Sequence, residues 1–101
     1  MTGAEKIVRV TIGGYVQGVG YRAWMAMEAR VQGVRGWVRN RSNGDVEALF
    51  AGPPDAVEAL RAACWGGPAQ ARVDKVEVVE AESAALAGAG AGRGFRQTAT
   101  L

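Results

Sequence analysis

The chain has 101 residues, 49% of them apolar and 22% charged, a composition typical of one globular domain with a single core. Twelve basic against ten acidic side chains give a net charge of +2, well short of the basic stripe expected of a nucleic-acid-binding protein. The absence of histidine excludes a serine–histidine–aspartate triad, and a single cysteine excludes an intrachain disulfide. We expect one domain over residues 1–101, with no metal ion and no cofactor.

The N-terminal residues and the length of the apolar runs indicate the cellular compartment of the protein. Residues 1–6 are polar and have no signal-peptide anatomy. No apolar run reaches the roughly 20 residues that a membrane span needs. A single thiol fits a reducing compartment. These features predict a cytoplasmic protein without membrane association.

The first third of the sequence predicts a strand, a glycine-rich loop and a helix. Apolar and polar residues alternate over residues 7–12, the period of a half-buried strand. The stretch GGYVQGVGYRAW, residues 13–24, follows with a flexible glycine-rich loop that leads into the start of a helix at Arg22. From Arg22, apolar residues recur at helical spacing up to Gly33, a residue suited to end a helix.

A hairpin is predicted next, within VRGWVRNRSNGDVEALF, residues 34–50. Two runs rich in Val, Trp and Phe flank the pair Asn43 and Gly44. Because this pair tolerates the positive φ angles of a tight primed turn, we expect the second and third strands to be antiparallel neighbours joined by such a turn.

The second half predicts a helix and two further strands. Prolines and Asp55 open a helical pattern within residues 52–67. Alternating valines predict a fourth strand over residues 72–81, and residues 94–101 predict a weaker last strand. The Ala/Gly-rich segment 83–94 is expected to be a loop, and no role is assigned to it.

The order β-α-β-β-α-β, with a short terminal strand, predicts the α+β class. It matches a ferredoxin-like split βαβ sandwich with two helices on one face of an antiparallel sheet. In the last strand, Phe95, Gln97, Ala99 and Leu101 are expected on one face. Because this fold serves many functions, the function must be argued from particular residues.

The loop before the first helix has the properties of an anion site. The first N–H groups of a helix lack internal partners, and Gly20 and Tyr21 offer no side-chain oxygen to cap them. Together with loop amides that glycine lets turn inward, they form a candidate anion nest. Arg22 adds a guanidinium suited to two phosphate oxygens, and an anion would offset its unfavourable place at the positive helix end. A plain strand-to-helix turn with a solvated Arg22 is the alternative.

Other phosphate motifs fit this loop less well. Residues 18–23 satisfy G-x-G-x-x-A, a dinucleotide fingerprint, but no acidic residue stands about 20 positions later and a hairpin follows. A Walker loop would need a lysine, which this loop lacks. A cysteine phosphatase would carry its nucleophile within the anion loop, whereas Cys64 lies within the predicted second helix.

Asn40 is the second candidate site residue. Gly36, Val38 and Asn40 share the core-facing side of the predicted second strand, and Trp37 and Arg39 lie on the other side. A buried amide needs hydrogen bonds, because leaving it unpaired costs roughly 1–3 kcal/mol. An ordinary strand-end asparagine bonded to the turn is the alternative interpretation.

The stretch YVQGVGYR, residues 15–22, followed by GWVRNRSNG, residues 36–44, resembles the acylphosphatases, small ferredoxin-like enzymes that hydrolyse the carboxyl-phosphate bond. The resemblance covers residues 7–79. It implies that Arg22 and loop amides hold the phosphate and that Asn40 positions the attacking water. The amides that it implicates belong to Gln17, Gly18, Val19, Gly20 and Tyr21. One mild departure is Tyr21, since the family often has phenylalanine there.

An acyl phosphate suits a site without a titratable base. Its carboxylate leaving group departs as an anion, and phosphoryl transfer depends mainly on positioning and charge stabilisation. We expect a phosphate oxygen of the substrate to accept the proton of the attacking water. The expected partners are an acyl phosphate as substrate and inorganic phosphate as product, with no nucleic acid, and the chain is expected to be a monomer.

Two other functions are weighed against this one. A ferredoxin-like module could bind RNA or a small anionic ligand without catalysis, and Trp37 beside Arg35, Arg39 and Arg41 is the feature that favours RNA. The domain could instead handle carbamoyl phosphate within a larger maturation enzyme. A chain length of 101 residues argues against that role.

Overall fold

Among the residues that the structure describes, two helices and a five-stranded sheet make up the fold. The computed structural model describes residues 5–82, 85 and 94–101, so that most of the predicted loop 83–94 lies outside the described residues. The elements are β1 (Lys6–Tyr15), α1 (Tyr21–Gln32), β2 (Arg35–Asn40), β3 (Val46–Gly52), α2 (Pro54–Ala63), β4 (Arg72–Glu80) and β5 (Phe95–Gln97).

The sheet has the strand order β4-β1-β3-β2-β5. The first four strands pair antiparallel, as predicted, and the ferredoxin-like α+β fold is confirmed. The prediction of a wholly antiparallel sheet is wrong for β5. This strand runs parallel to β2 along its outer edge, with Phe95 opposite Gly36 and Gln97 opposite Val38. The sheet is therefore mixed.

Both helices pack on one face of the sheet and enclose the main core. Alternate residues of β1, β2 and β3 point toward the helices, and apolar residues of α1 and α2 meet them. Fully buried members of this core include Val10, Ile12, Met25, Val38, Val46, Phe50, Val57 and Leu60. This packing holds the first turn of α1 against the sheet.

The opposite face of the sheet carries a smaller cluster around Trp37 and Leu49. Arg9 and Arg39 lie over the Trp37 ring, with their guanidinium carbons 5.8 Å and 4.6 Å from its centroid. Both arginines also pair with Glu47, which is only 6% exposed. An apolar and ionic layer therefore covers this side of the central strands.

β1 is longer than the sequence predicts. The predicted strand 7–12 extends to Tyr15, because Gly13 and Gly14 continue the pairing with β4 across a bulge. Gly14 has a φ of +118°, and a Cβ there would lie 2.2 Å from the carbonyl oxygen of Arg72. The glycine-rich stretch thus begins as strand, and the true loop is confined to residues 16–20.

The hairpin between β2 and β3 differs from the predicted primed turn. Gly44 has a φ of +100°, but Asn43 does not share it, since glycines alone have positive φ among the described residues. The Gly44 N–H donates to the Arg41 carbonyl at 3.1 Å, and the Arg41 N–H donates to the Asp45 carbonyl at 2.8 Å. The loop is therefore three residues long and needs one left-handed glycine, so the predicted turn type is wrong.

Candidate phosphate site at the start of α1

Residues 16–20 connect β1 to α1 and turn on two glycines. Gly18 and Gly20 have φ angles of +76° and +82°, and Val19 between them has a negative φ. Nothing lies within 4 Å of a Cβ built on either glycine, so conformation and not space requires glycine here. Alternation of backbone handedness turns successive N–H groups toward one side and makes an anion-binding concavity.

No side chain caps the N-terminus of α1. Gly20 is the N-cap residue, and its carbonyl accepts the first helical hydrogen bond, from the Trp24 N–H at 3.0 Å. The amides of Tyr21, Arg22 and Ala23 precede that bond in the helix. The uncapped helix start predicted from the sequence is confirmed, although α1 begins one residue earlier than predicted, at Tyr21.

A cavity of about 130 Å³ lies at this end of α1. It brings together Arg22 and Asn40, the two side chains singled out from the sequence. Its lining consists of Val16, Gly18, Gly20, Tyr21, Arg22, Ala23, Asn40 and Gln97. Gln17 and Val19, also named from the sequence, belong to the loop but are not part of this lining.

Three lining residues, Val16, Ala23 and Gln97, are not among the site residues named from the sequence, and Gln97 is the one of them with a polar side chain. The alternation of the last strand predicts Gln97 on the same strand face as Phe95. Phe95 is buried in the core beneath the helices, and Gln97 lines the cavity on that same side of the sheet. The parallel pairing of β5 with β2 then places Gln97 opposite Val38, two residues from Asn40. A pairing direction for so short a strand could not be read from its sequence.

Arg22 occupies the first turn of α1 and is partly buried. No acidic residue stands in that turn, and within the described part of the chain no carboxylate forms an ion pair with Arg22. A cation at the positive end of a helix is unfavourable unless an anion is bound there. The arrangement is therefore suited to a phosphate group.

Asn40 ends β2 with its side-chain oxygen buried. No hydrogen bond to Asn40 Oδ1 is made by any of the described residues, so the alternative of an asparagine bonded to the turn does not hold. The main chain of Asn40 is held from both sides, by the pairing with Val46 and by the Leu101 N–H, which donates to the Asn40 carbonyl at 3.2 Å. A fixed, buried acceptor is left for a donor such as water.

Tyr21 forms a buried support for the loop. Its hydroxyl donates to the Cys64 carbonyl at 2.6 Å, and its ring centroid lies 5.2 Å from that of Trp24. Burial, with Cys64 beside it, raises the pKa of the Tyr21 hydroxyl, and burial raises the pKa of the Cys64 thiol to about 12. The sequence predicts Cys64 within the second helix, but α2 ends at Ala63 and Cys64 directly follows it. Neither group can act as a base near neutral pH.

The fold places this chain among small α+β proteins of ferredoxin-like topology. Comparison with known proteins narrows the class, because the acylphosphatase family model matches residues 8–89. The chain therefore belongs to the acylphosphatase family. Neither α1 nor α2, the helices of the described residues, has the length and apolar character of a membrane span.

Individual relatives agree with this assignment. An acylphosphatase of Azorhizobium caulinodans is 49% identical over 94 residues, which are 93% of this chain and 96% of that protein. An acylphosphatase of Rhodopseudomonas palustris is 50% identical over 95 residues, with 94% and 96% covered. The crystal structure of acylphosphatase from Bacillus subtilis superposes with a TM-score of 0.81 at 34% identity, covering 91% of this chain and 97% of that one.

Family membership confirms the resemblance that was inferred from the two sequence motifs. It also confirms the prediction that the chain is an enzyme that hydrolyses acyl phosphates. The RNA-binding alternative is not favoured. Trp37, the residue proposed for base stacking, is 3% exposed and lies beneath Arg9 and Arg39, whose charges Glu47 partly balances. The extent of the domain over residues 1–101 stays a prediction.

Proposed function

We propose that this chain hydrolyses the carboxyl-phosphate bond of acyl phosphates in the cavity at the start of α1, and that Arg22 and Asn40 are its two catalytic side chains. The observation that carries the proposal is their convergence on one cavity beside an uncapped helix N-terminus. The products are a carboxylate and inorganic phosphate.

Phosphate binding falls to the loop and to Arg22. Left-handed glycines at 18 and 20 support inward-facing amides over residues 17–21, and the helix dipole adds to their attraction for an anion. The Arg22 guanidinium donates two charge-assisted hydrogen bonds to phosphate oxygens and stabilises the negative charge of the transferring group. Arg22 is the one cationic residue among the described residues that line the cavity.

Positioning of the attacking water falls to Asn40. Its buried Oδ1 accepts a hydrogen bond from the water and holds it in line with the scissile bond. An amide is too weak a base to take the proton. Because the described lining contains neither a carboxylate nor an imidazole, a phosphate oxygen of the substrate is assigned as the proton acceptor.

A cytoplasmic monomer that does not bind nucleic acid belongs to the same proposal. The buried, unpaired thiol of Cys64 supports a reducing compartment. Light scattering at micromolar concentration tests the assembly, and a single species with the mass of one chain is expected. A stable dimer would contradict it.

The decisive experiment compares hydrolysis of a synthetic aryl acyl phosphate with that of a phosphate monoester. Arg22→Ala should lose at least about 10²-fold in both turnover and inhibition by inorganic phosphate, since it removes two charged hydrogen bonds that are each worth roughly 1.5–3 kcal/mol. Asn40→Ala should lower kcat by about 10² and leave phosphate inhibition within about threefold.

Arg96→Ala is the matched control, because Arg96 is exposed and directly precedes Gln97 without lining the cavity. It should keep full activity. An inactive wild type would refute the proposed reaction. Full turnover by Asn40→Ala would refute the division of roles between the two side chains.

A further inference from the structure

The side chain of Gln17 connects the proposed phosphate-binding loop to the β2–β3 connection, which directly follows Asn40. Gln17 lies in the loop of residues 16–20, but its side chain turns away from the cavity toward the β2–β3 connection. There Nε2 donates to the Arg41 carbonyl at 2.8 Å and to the Asp45 carbonyl at 2.9 Å. Arg41 is the residue directly after Asn40.

Both acceptors are backbone carbonyls that already close the hairpin loop. The Arg41 carbonyl also accepts from the Gly44 N–H, and the Asp45 carbonyl also accepts from the Arg41 N–H. Since a carboxamide nitrogen has two N–H groups, both donors of Gln17 are used, and the amide has a single satisfactory orientation. Neither a carboxylate nor an apolar side chain could replace it.

We propose that the Gln17 side chain is a positioning residue that sets the placement of Asn40 relative to the phosphate loop. It bonds to the hairpin from a residue whose own backbone belongs to the anion nest, so loop and strand end cannot shift independently. An in-line attack depends on that placement, because small errors in the position of a reacting group cost large factors in rate. The inference rests on the proposed function.

The test is Gln17→Met, which keeps a neutral side chain of similar length and removes both donors. We expect kcat for an aryl acyl phosphate to fall about tenfold, while the inhibition constant of inorganic phosphate stays within about threefold. Gln70→Met, at an exposed position outside the cavity lining, is the matched control and should leave both values unchanged.

A double-mutant cycle separates positioning from a general loss of structure. If Gln17 acts through Asn40, then Gln17→Met should lower kcat much less in an Asn40→Ala background than in the wild type. An equal loss in both backgrounds would overturn the inference, and so would unchanged turnover of Gln17→Met in the wild-type background.

Circular dichroism verifies that each variant is folded. If Gln17→Met does not fold, Gln17→Asn replaces it, because its shorter side chain keeps both donors but cannot reach both carbonyls, and the same expectations apply. An inactive wild type would overturn the proposed function and this inference together. An active wild type with an equally active Gln17 variant would overturn this inference alone.

Discussion

The side chains of Glu47 and Arg39 meet on the sheet face opposite the helices, where Glu47 Oε1 lies 2.7 Å from Arg39 Nη2 and 2.8 Å from Arg39 Nε. The same carboxylate accepts from Arg41 at 2.9 Å and from Arg9 at 3.2 Å. Because Arg39 and Arg41 flank Asn40 in the chain, this ionic cluster holds the end of β2 from the side away from the cavity.

Replacing Glu47 by Gln should lower the free energy of unfolding by about 2 kcal/mol, because three guanidinium groups lose the nearby carboxylate that balances them. Urea denaturation measures the change. Glu77→Gln is the matched control, since Glu77 is exposed on β4. A loss below about 0.5 kcal/mol is expected there. Equal losses for the two variants would show that the Glu47 cluster contributes nothing special.

The contribution of Glu47 should also depend on pH. Burial acts to raise the pKa of its carboxyl, but hydrogen bonds from Arg41, Arg39 and Arg9 outweigh burial and hold the pKa below its ordinary value of 4.5. Since the folded-state pKa is the lower one, the added stability is present above the unfolded pKa and is lost as pH falls through the folded value. The stability difference between wild type and Glu47→Gln should therefore be constant at neutral pH and shrink in acid below pH 4.5. A difference that grew in acid would contradict this sign.

Tyr21→Phe should reduce stability and spare activity. The change removes the hydroxyl that donates to the buried Cys64 carbonyl and leaves the backbone amide of Tyr21 in place. A loss of about 1–2 kcal/mol is expected, which in a domain of this size lowers Tm by several degrees, about 4–8 °C per kcal/mol. Calorimetry measures the loss of stability, and the acyl phosphate assay tests whether activity is unchanged. Tyr15→Phe, at a site 61% exposed, should change neither quantity.

Gly20→Ala and Gly33→Ala form a natural pair at the two ends of α1. Both glycines have left-handed φ angles, +82° and +75°, and neither has an atom within 4 Å of an added Cβ. Each substitution should therefore cost roughly 1 kcal/mol of stability. Inhibition by inorganic phosphate should weaken in Gly20→Ala alone, because that backbone belongs to the proposed nest. Equal phosphate inhibition in the two variants would remove Gly20 from the binding site.

Gly36→Ala should prevent folding. Gly36 has a φ of +143°, and a Cβ there would lie 1.8 Å from the Leu49 carbonyl oxygen, a collision between two backbones of the sheet. Gly52→Ala is the comparison, because its Cβ would come no closer than 3.4 Å to the Gly33 carbonyl oxygen. Soluble expression and circular dichroism should distinguish them. A folded, active Gly36→Ala protein would contradict the expectation.

Hydrophobic periodicity predicted β1 and both helices because each of them buries one regular face. β3 is buried along its whole length and was predicted instead from its apolar run after Asn43 and Gly44. Periodicity could not predict the direction of β5, since three residues carry no information about pairing partners. The type of turn between β2 and β3 was not predicted correctly from the Asn-Gly pair either. The Asn43 side-chain oxygen accepts from the Asp45 N–H at 3.0 Å, which supports a longer loop than the primed turn that Asn-Gly favours.

The parts of the candidate site that depend on residues close together in the sequence were predictable. An uncapped, glycine-rich helix start with Arg22 is visible in consecutive letters, and so is Asn40 on a core-facing stripe. The contribution of Gln97 depends on the parallel register of β5, and the contacts of Gln17 depend on a hairpin 24 and 28 residues away. Such long-range contacts are set by tertiary packing.

The bond from the Leu101 N–H to the Asn40 carbonyl has a bearing on how the protein is made. Among the described residues, the one hydrogen bond to the Asn40 carbonyl at the outer edge of β2 comes from Leu101, which is made long after Asn40. The strand end that carries Asn40 is therefore secured only when residue 101 has been added. Because a small domain folds cooperatively, hydrolysis by a nascent chain should begin only after residue 101 has left the ribosome.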